Sequence, residues 1–196
     1  MFKVGDKIVY PMHGAGVIEK IEERSILDEK QSYYIIKMPG EVKVMVPTAK
    51  AEEIGVRNII DKETAGKVIN VLEQNSTEMS IKWNKRYRDN VEKMKSGDVF
   101  EVADIVRNLS FKQKEKGLST TEKKMLINAK QILISELVLA ESKEKEEMEE
   151  LVENKINTSY ELHGIGETEQ IIQNNIVNSE DTDSTDNIVK KFIAAN

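Results

Sequence analysis

The sequence predicts an α+β chain: a small antiparallel β-barrel first, an all-α bundle after it, and an acidic tail. Three observations carry this. All three prolines, Pro11, Pro39 and Pro47, lie in the first quarter of the 196 residues, among short β-branched runs. Beyond Pro47 apolar residues recur at steps of three and four, the period of a helix with one buried face. Residues 157–196 then hold two Lys against seven Asp/Glu, so acidity gathers at the end.

Within the first region, Lys7-Ile8-Val9-Tyr10 is a strand stopped by Pro11. His13-Gly14-Ala15-Gly16 supplies a tight turn or bulge, and Val17 to Glu22 is a second, β-branched strand. Leu27 to Gln31 is a polar connection, Tyr33 to Lys37 a third strand, and Pro39-Gly40 a turn. Glu41 to Val46 is a fourth strand ended by Pro47. Short strands with Gly and Pro at their ends suggest a barrel of the SH3 or Tudor kind.

Asp61 is the expected N-cap of a helix over Lys62 to Gln74, with Ala65, Val68, Ile69 and Leu72 on one face. Trp83, Tyr87, Val91 and Met94 mark a second helix, closed by Gly97. Asp98, with Glu101 three residues on, opens a third helix carrying Val102, Ile105, Val106 and Leu109. After Lys116-Gly117-Leu118, Ser119 and Glu122 have capping-box spacing and start the longest helix, Thr120 to Glu141. Glu144 to Asn154 extends as a charged final helix. Ser179 to Asp186 reads as a polar, acidic linker, flanked by amphipathic segments at Glu167 to Val177 and Asn187 to Ala194. The expected domains are 1–56, 57–155 and a flexible tail, 156–196.

Composition narrows function. With no Cys, disulfides, zinc thiolates and thiol catalysis are excluded, which fits a reducing cytoplasm. Met1 to Asp6 has no signal-peptide h-region, and the greasy stretch Ile132 to Ala140 is broken by Ser135 and Glu136, too short for a membrane span. His13 and His163 stand far apart, and no nucleophile, P-loop or metal-binding pattern appears. The expectation is therefore a non-enzyme without cofactor or metal. Net charge is −6, yet residues 58–140 hold 15 Lys/Arg against 12 Asp/Glu. That middle section is mildly basic, and local sign governs contact with phosphates.

The single tryptophan stands in "SIKWNKRYRDN", residues 80–90, among Lys82, Lys85, Arg86 and Arg88. Two readings are open. Trp83 can open the apolar stripe of its helix and be core. It can instead project from the helix start, where backbone N–H groups favour a phosphate, while Lys85, Arg86 and Arg88 neutralise phosphates and the indole packs on bases or sugars. Lys123 and Lys124, at the start of the long helix, can join the same face. In the barrel, Arg24 stands among Glu19, Glu22 and Glu23, and an exposed edge strand there can bind a partner by strand addition.

These stretches resemble a known family. "FKVGDKIVYPMHGAGVIEKIEER" is similar to the start of a CarD/CdnL-type bacterial transcription factor. "WNKRYRDNVEKMKSGDVFEVADIVRNL" and "KGLSTTEKKMLINAKQILISELVLAE" resemble its helical domain, in order, so that the match runs from Phe2 to about Asn154. The resemblance implies that the barrel docks on the RNA polymerase β subunit and that the helical domain reaches promoter DNA just upstream of the melted −10 region, with little sequence specificity. Trp83 falls on the wedge position, which enters the minor groove at the upstream fork and hinders bubble closure. Lys85, Arg86, Arg88 and Lys123 fall on basic DNA positions. Arg24 matches a polymerase-contacting arginine, and Met45 takes a place where some relatives carry a basic polymerase contact. The same resemblance implies a cytoplasmic monomer, associated with the nucleoid through polymerase and away from membranes. The acidic tail lacks Arg-Gly-Arg-Pro, so a longer, AT-hook-bearing architecture does not carry over. The rival class is a protein–protein adaptor with Trp83 buried and no role on DNA.

Overall fold

The computed structural model describes residues 1–26, 29–40 and 42–177. The N-terminal region is one antiparallel sheet of β1 (Lys7–Tyr10), β2 (Gly14–Ile26), β3 (Glu29–Lys37), β4 (Lys43–Pro47) and β5 (Arg57–Asn58), ordered β4-β3-β2-β1-β5. A 3-10 turn, Thr48–Lys50, leads from β4 towards β5. β2 is the long member. Its start pairs with β1, Lys7 facing Val17 and Tyr10 facing Gly14, while its whole length follows β3. A register shift between Ile18 and Lys20 bends it. Ile8, Ile18, Tyr34, Ile36, Val46 and Val56 fill the concave side as a separate barrel core. β2 runs past its expected end at Glu22, which leaves Arg24 inside the strand. The two-residue β5 had no pattern to betray it.

Five helices follow: α1 (Lys62–Leu72), α2 (Trp83–Ser96), α3 (Val99–Glu115), α4 (Thr120–Glu141) and α5 (Lys145–Val177). Their caps are those the sequence implies. Asp61 accepts from the Thr64 N–H, and Gly97 closes α2 at φ 73°. Ser119 and Glu122 form the full capping box. Asp98 caps α3 through the Phe100 N–H, one residue earlier than the Glu101 pattern suggests. The apolar faces of all five helices meet in one core that includes Val68, Leu72, Val106, Leu109, Leu133 and Leu137.

The last helix corrects a boundary. The tail was expected from residue 156, but Ile156 is fully buried in the helical core, and Tyr160 packs edge-on against Phe111. Met148, Val152 and Ile156 continue one four-residue stripe past Asn154. The acidic stretch Ser179–Asp186 and the segment Asn187–Ala194 lie outside the described residues.

The barrel is fastened to α4 by buried polar groups. The Ala15 N–H donates to Ser135 Oγ at 2.8 Å. Gly14 sits so near that a Cβ there would fall 2.5 Å from the same oxygen, and its φ of +99° already favours glycine. Arg57 meets Glu136 as a fork, 2.6 Å and 2.9 Å, and also donates to the Gly97 carbonyl. Glu136 is 1% exposed and accepts from the Ile60 N–H as well. Ser135 and Glu136 thus interrupt an apolar run because they face the other domain.

Candidate nucleic-acid interface

The surface around Trp83 forms where two helices begin side by side. α2 starts at Trp83 and α4 at Thr120, and the indole Nε1–H donates to the α4 cap, Ser119 Oγ, at 3.2 Å. The ring stacks on Tyr87, with centroids 5.9 Å apart. Trp83 nevertheless keeps 43% of its surface in solvent. It is anchored through its Nε1–H and its stack on Tyr87, and nearly half of its surface stays open, which favours the outward reading over the core one.

A short chain of hydrogen bonds fixes this corner. Ser119 Oγ donates to Glu122 Oε2 at 2.8 Å. The other carboxylate oxygen, Oε1, accepts from Nε and Nη2 of Arg86 at 2.8 Å and 2.5 Å. Arg86 Nη1 donates to the carbonyls of Ser80, at 2.7 Å, and Ile81, at 3.3 Å. Burial pushes the Glu122 carboxyl up, but the bonds from Arg86 and Ser119 outweigh it and hold the group below its ordinary value.

Arg86 corrects the sequence expectation. It is 7% exposed and wholly engaged by protein groups, so it does not present its charge to a phosphate alongside Lys85 and Arg88. The buried set of α2 is Arg86, Asn90 and Met94, one residue out of step with the apolar set Trp83, Tyr87 and Val91. One residue turns a helix by about 100°. The inward face therefore takes Arg86, where Glu122 awaits it, and Trp83 is turned to the rim.

Lys85, Arg88, Lys123 and Lys124 are exposed, as is Lys82, the uncapped residue before α2. The first turn of α2 carries no acidic residue. Helix starts ordinarily favour carboxylates, because their N–H groups present a partial positive charge. Cations at this start add to that field instead of cancelling it, and the sum suits an anion. Sequence reasoning missed Ser119, Glu122 and Ile81 as parts of this corner; the first two had been legible only as a cap.

Arg24 and Met45 sit elsewhere, on the barrel. Met45 faces Ile35 across β4 and β3, and Ile35 in turn faces Lys20 on β2. Arg24 is four residues beyond Lys20 and so shares its side of the strand. Both side chains are on the outer side of the sheet, opposite the barrel core. Arg24 is partly exposed and paired with Glu22 at 3.4 Å; Met45 is 44% exposed on the edge strand. Beyond the β1 pairing, Lys20–Ile26 of β2 is a second free edge among the described residues.

A cleft of about 580 Å³ opens between the barrel and helices α4 and α5, lined by Met38, Val42, Ile127 and Ile134 among others. It is removed from the Trp83 corner, and its titratable groups (His13, Lys130, Lys145, Glu149 and Glu153) include no nucleophile set beside a base. Among the described residues no cluster of three or more His, Asp or Glu could hold a metal ion, and no helix is long and apolar enough to cross a membrane.

The chain matches two family models. Residues 2–60 match the CarD-like/TRCF RID domain, and residues 67–153 match the CarD C-terminal domain. The chain is also similar to YdeB of Bacillus subtilis (strain 168), whose name makes it a candidate transcription factor. The two are 44% identical over 138 residues, 70% of this chain and 90% of that protein. A barrel of one kind, a helical domain of the other and a relative sharing both make the chain a member of the CarD-like family of transcription factors.

Proposed function

We propose that this transcription regulator docks on the RNA polymerase β subunit through the outer face of its barrel and stabilises the promoter open complex by placing Trp83 in the minor groove at the upstream edge of the bubble. The half-exposed indole at the joined starts of α2 and α4, set among Lys82, Lys85, Arg88, Lys123 and Lys124, carries this reading. Such a site combines the two parts of a minor-groove wedge. Cations position the phosphates, and an apolar group enters between unstacked bases. Contacts from exposed cations to phosphates carry no sequence information, so in this reading polymerase selects the promoter.

The energetics suit an accessory factor. A handful of phosphate contacts gives weak, salt-sensitive binding. Tethering to polymerase makes the DNA contact effectively intramolecular, so weak contacts suffice. The buried fastening between barrel and α4 matters here, because a rigid arm keeps the wedge at a fixed distance from its dock. Binding the open state better than the closed one shifts the equilibrium by the difference in affinity.

The test is the lifetime of the open complex with polymerase from the same organism. Trp83→Ala should keep its fold and shorten that lifetime. Arg24→Glu should weaken capture of β-subunit fragments in the absence of DNA, leave the DNA contact itself untouched, and still lower activity. A Trp83→Ala chain that melts early but supports a normal lifetime per folded molecule returns Trp83 to the core. Normal β binding by Arg24→Glu moves the dock to another part of the barrel.

A further inference from the structure

Two residues before Trp83, Ile81 is 96% exposed; among the described large apolar side chains only Met1, at the chain end, is more so. Single exposed aliphatic residues are ordinary on protein surfaces. This one differs because its backbone is held. Ile81 lies in the connection between α1 and α2, and buried groups grip that connection twice. Asn108 Oδ1 accepts from the Thr77 N–H at 2.9 Å, and Asn108 Nδ2 donates to Thr77 Oγ1 at 2.7 Å. Further on, Arg86 takes the carbonyls of Ser80 and Ile81 while its other nitrogens hold Glu122. The loop is pinned from beneath, and its isoleucine is left in water.

We propose that Ile81 is a second apolar contact of the DNA site, inserted or pressed against the base step next to the one that Trp83 enters, and that Arg86 is the positioning residue that presents both. The proposal rests on the reading of Trp83 as a wedge. Two residues of chain reach at most about 7 Å, and successive base steps along one strand are about 3.4 Å apart. The indole and the isoleucine side chain can therefore address neighbouring steps of one groove. Isoleucine is among the residue types that wedge between bases. The surrounding charge selects the occupant: Lys82, Lys85 and Arg88 are all exposed beside Ile81 and Trp83, which suits a polyanion and disfavours an apolar protein groove. Glu122 is linked through Arg86 to the Ile81 carbonyl and through Ser119 to the Trp83 indole, so one buried carboxylate sets the spacing of the pair.

Full-length Ile81→Ser, Ile81→Met and Trp83→Ala would be compared for melting temperature, open-complex half-life under competitor challenge, and the salt dependence of fork-DNA binding. Ile81→Ser should melt with the parent chain, shorten the half-life about three- to tenfold, and leave the log–log salt slope unchanged, because it removes no charge. Ile81→Met, apolar and flexible, should restore most of the half-life. A normal half-life for Ile81→Ser beside a shortened one for Trp83→Ala overturns the proposal and leaves the wedge standing. Normal half-lives for both overturn the wedge reading and this proposal with it. If Ile81→Ser instead weakens binding to polymerase without DNA, its contact is a protein and the proposal is wrong.

Discussion

The two ends of α4 each bury a glutamate against an arginine from another element, and the pairs are built for different ends. At the junction, Arg57 and Glu136 meet as a fork, and the arginine side chain keeps 32% of its surface in solvent. At the Trp83 corner, Arg86 puts two N–H groups on a single oxygen of Glu122, and the side chains are only 8% and 5% exposed. The more deeply buried ion pair thus lies under the most cationic stretch of the chain and not between its domains. Buried pairs add little net stability over apolar packing; what they add is a defined geometry that is costly to leave half-made. At the junction that geometry fixes one domain on the other. At the corner it fixes a loop and an indole.

The comparison breaks most visibly at Glu122. Glu122→Ala leaves Arg86 buried without its counter-charge and opens the α4 cap. The expected loss is about 3–5 kcal/mol, or roughly 10 °C in Tm for a chain of this length. Replacing both partners with apolar groups, Arg86→Met with Glu122→Leu, should recover much of that stability. It should not recover the open-complex lifetime, because nothing then holds the Ser80 and Ile81 carbonyls. Equal recovery of both would make the pair structural alone.

Glu136→Ala should cost less, about 3 kcal/mol, because Arg57 can turn to water and keeps the Gly97 carbonyl. Its signature should be looser domains: faster proteolysis between residues 57 and 61, with Trp83 emission unchanged in the folded chain. A change in Trp83 emission would mean that the two ends of α4 are coupled.

Acid sharpens the contrast. Because the Glu122 pKa is lowered in the folded chain from its ordinary value of 4.5, the carboxylate contributes stability that is complete above that unfolded value. The contribution fades as pH falls through the lower, folded value. The gap in stability between the parent chain and Glu122→Gln should therefore be constant near neutrality and shrink below about pH 4.5. A gap that stays level into strong acid would show that the charge is not what Arg86 needs.

How far the sequence foretold this depends on what each signal reports. Periodicity and caps report local preference, so α1 to α4, Gly97 and the Ser119–Glu122 box were all legible. Proline and glycine spacing likewise located four of the five strands. Burial of charge depends on what lies across the gap. Lys85, Arg86 and Arg88 look alike in sequence, and only the position of Glu122, 36 residues on, separates the second from its neighbours. Ser135 and Glu136 read as flaws in an apolar run because their partners, Ala15 and Arg57, lie in β2 and β5 of the barrel sheet, which runs one strand past the expected boundary at residue 56. Residues 156–160 had their stripe in plain view, but the acidity of the segment masked it. Trp83 was open to two readings, core or outward from the helix start, and its half-exposed indole favours the outward one.

The smallest expected effects lie on the surface and divide the three cations most sharply. Lys85→Ala and Arg88→Ala remove exposed charges that make no salt bridge among the described residues, so folding should change by no more than about 0.5 kcal/mol. Each phosphate contact contributes about 0.9 to the negative log–log salt slope of DNA binding. Either substitution should therefore make that slope shallower by about this amount, and weaken different sequences alike, because phosphates carry no sequence. Arg86→Ala, measured where it remains folded, should do the reverse: lower Tm strongly and leave the slope nearly as it was. Fork-DNA titrations across a salt series, paired with thermal melts, put the three on one plot. If Arg86→Ala flattens the slope as much as its neighbours do, the guanidinium leaves Glu122 when DNA binds. The buried pair at the corner is then a latch, and its resemblance to the pair at the junction ends there.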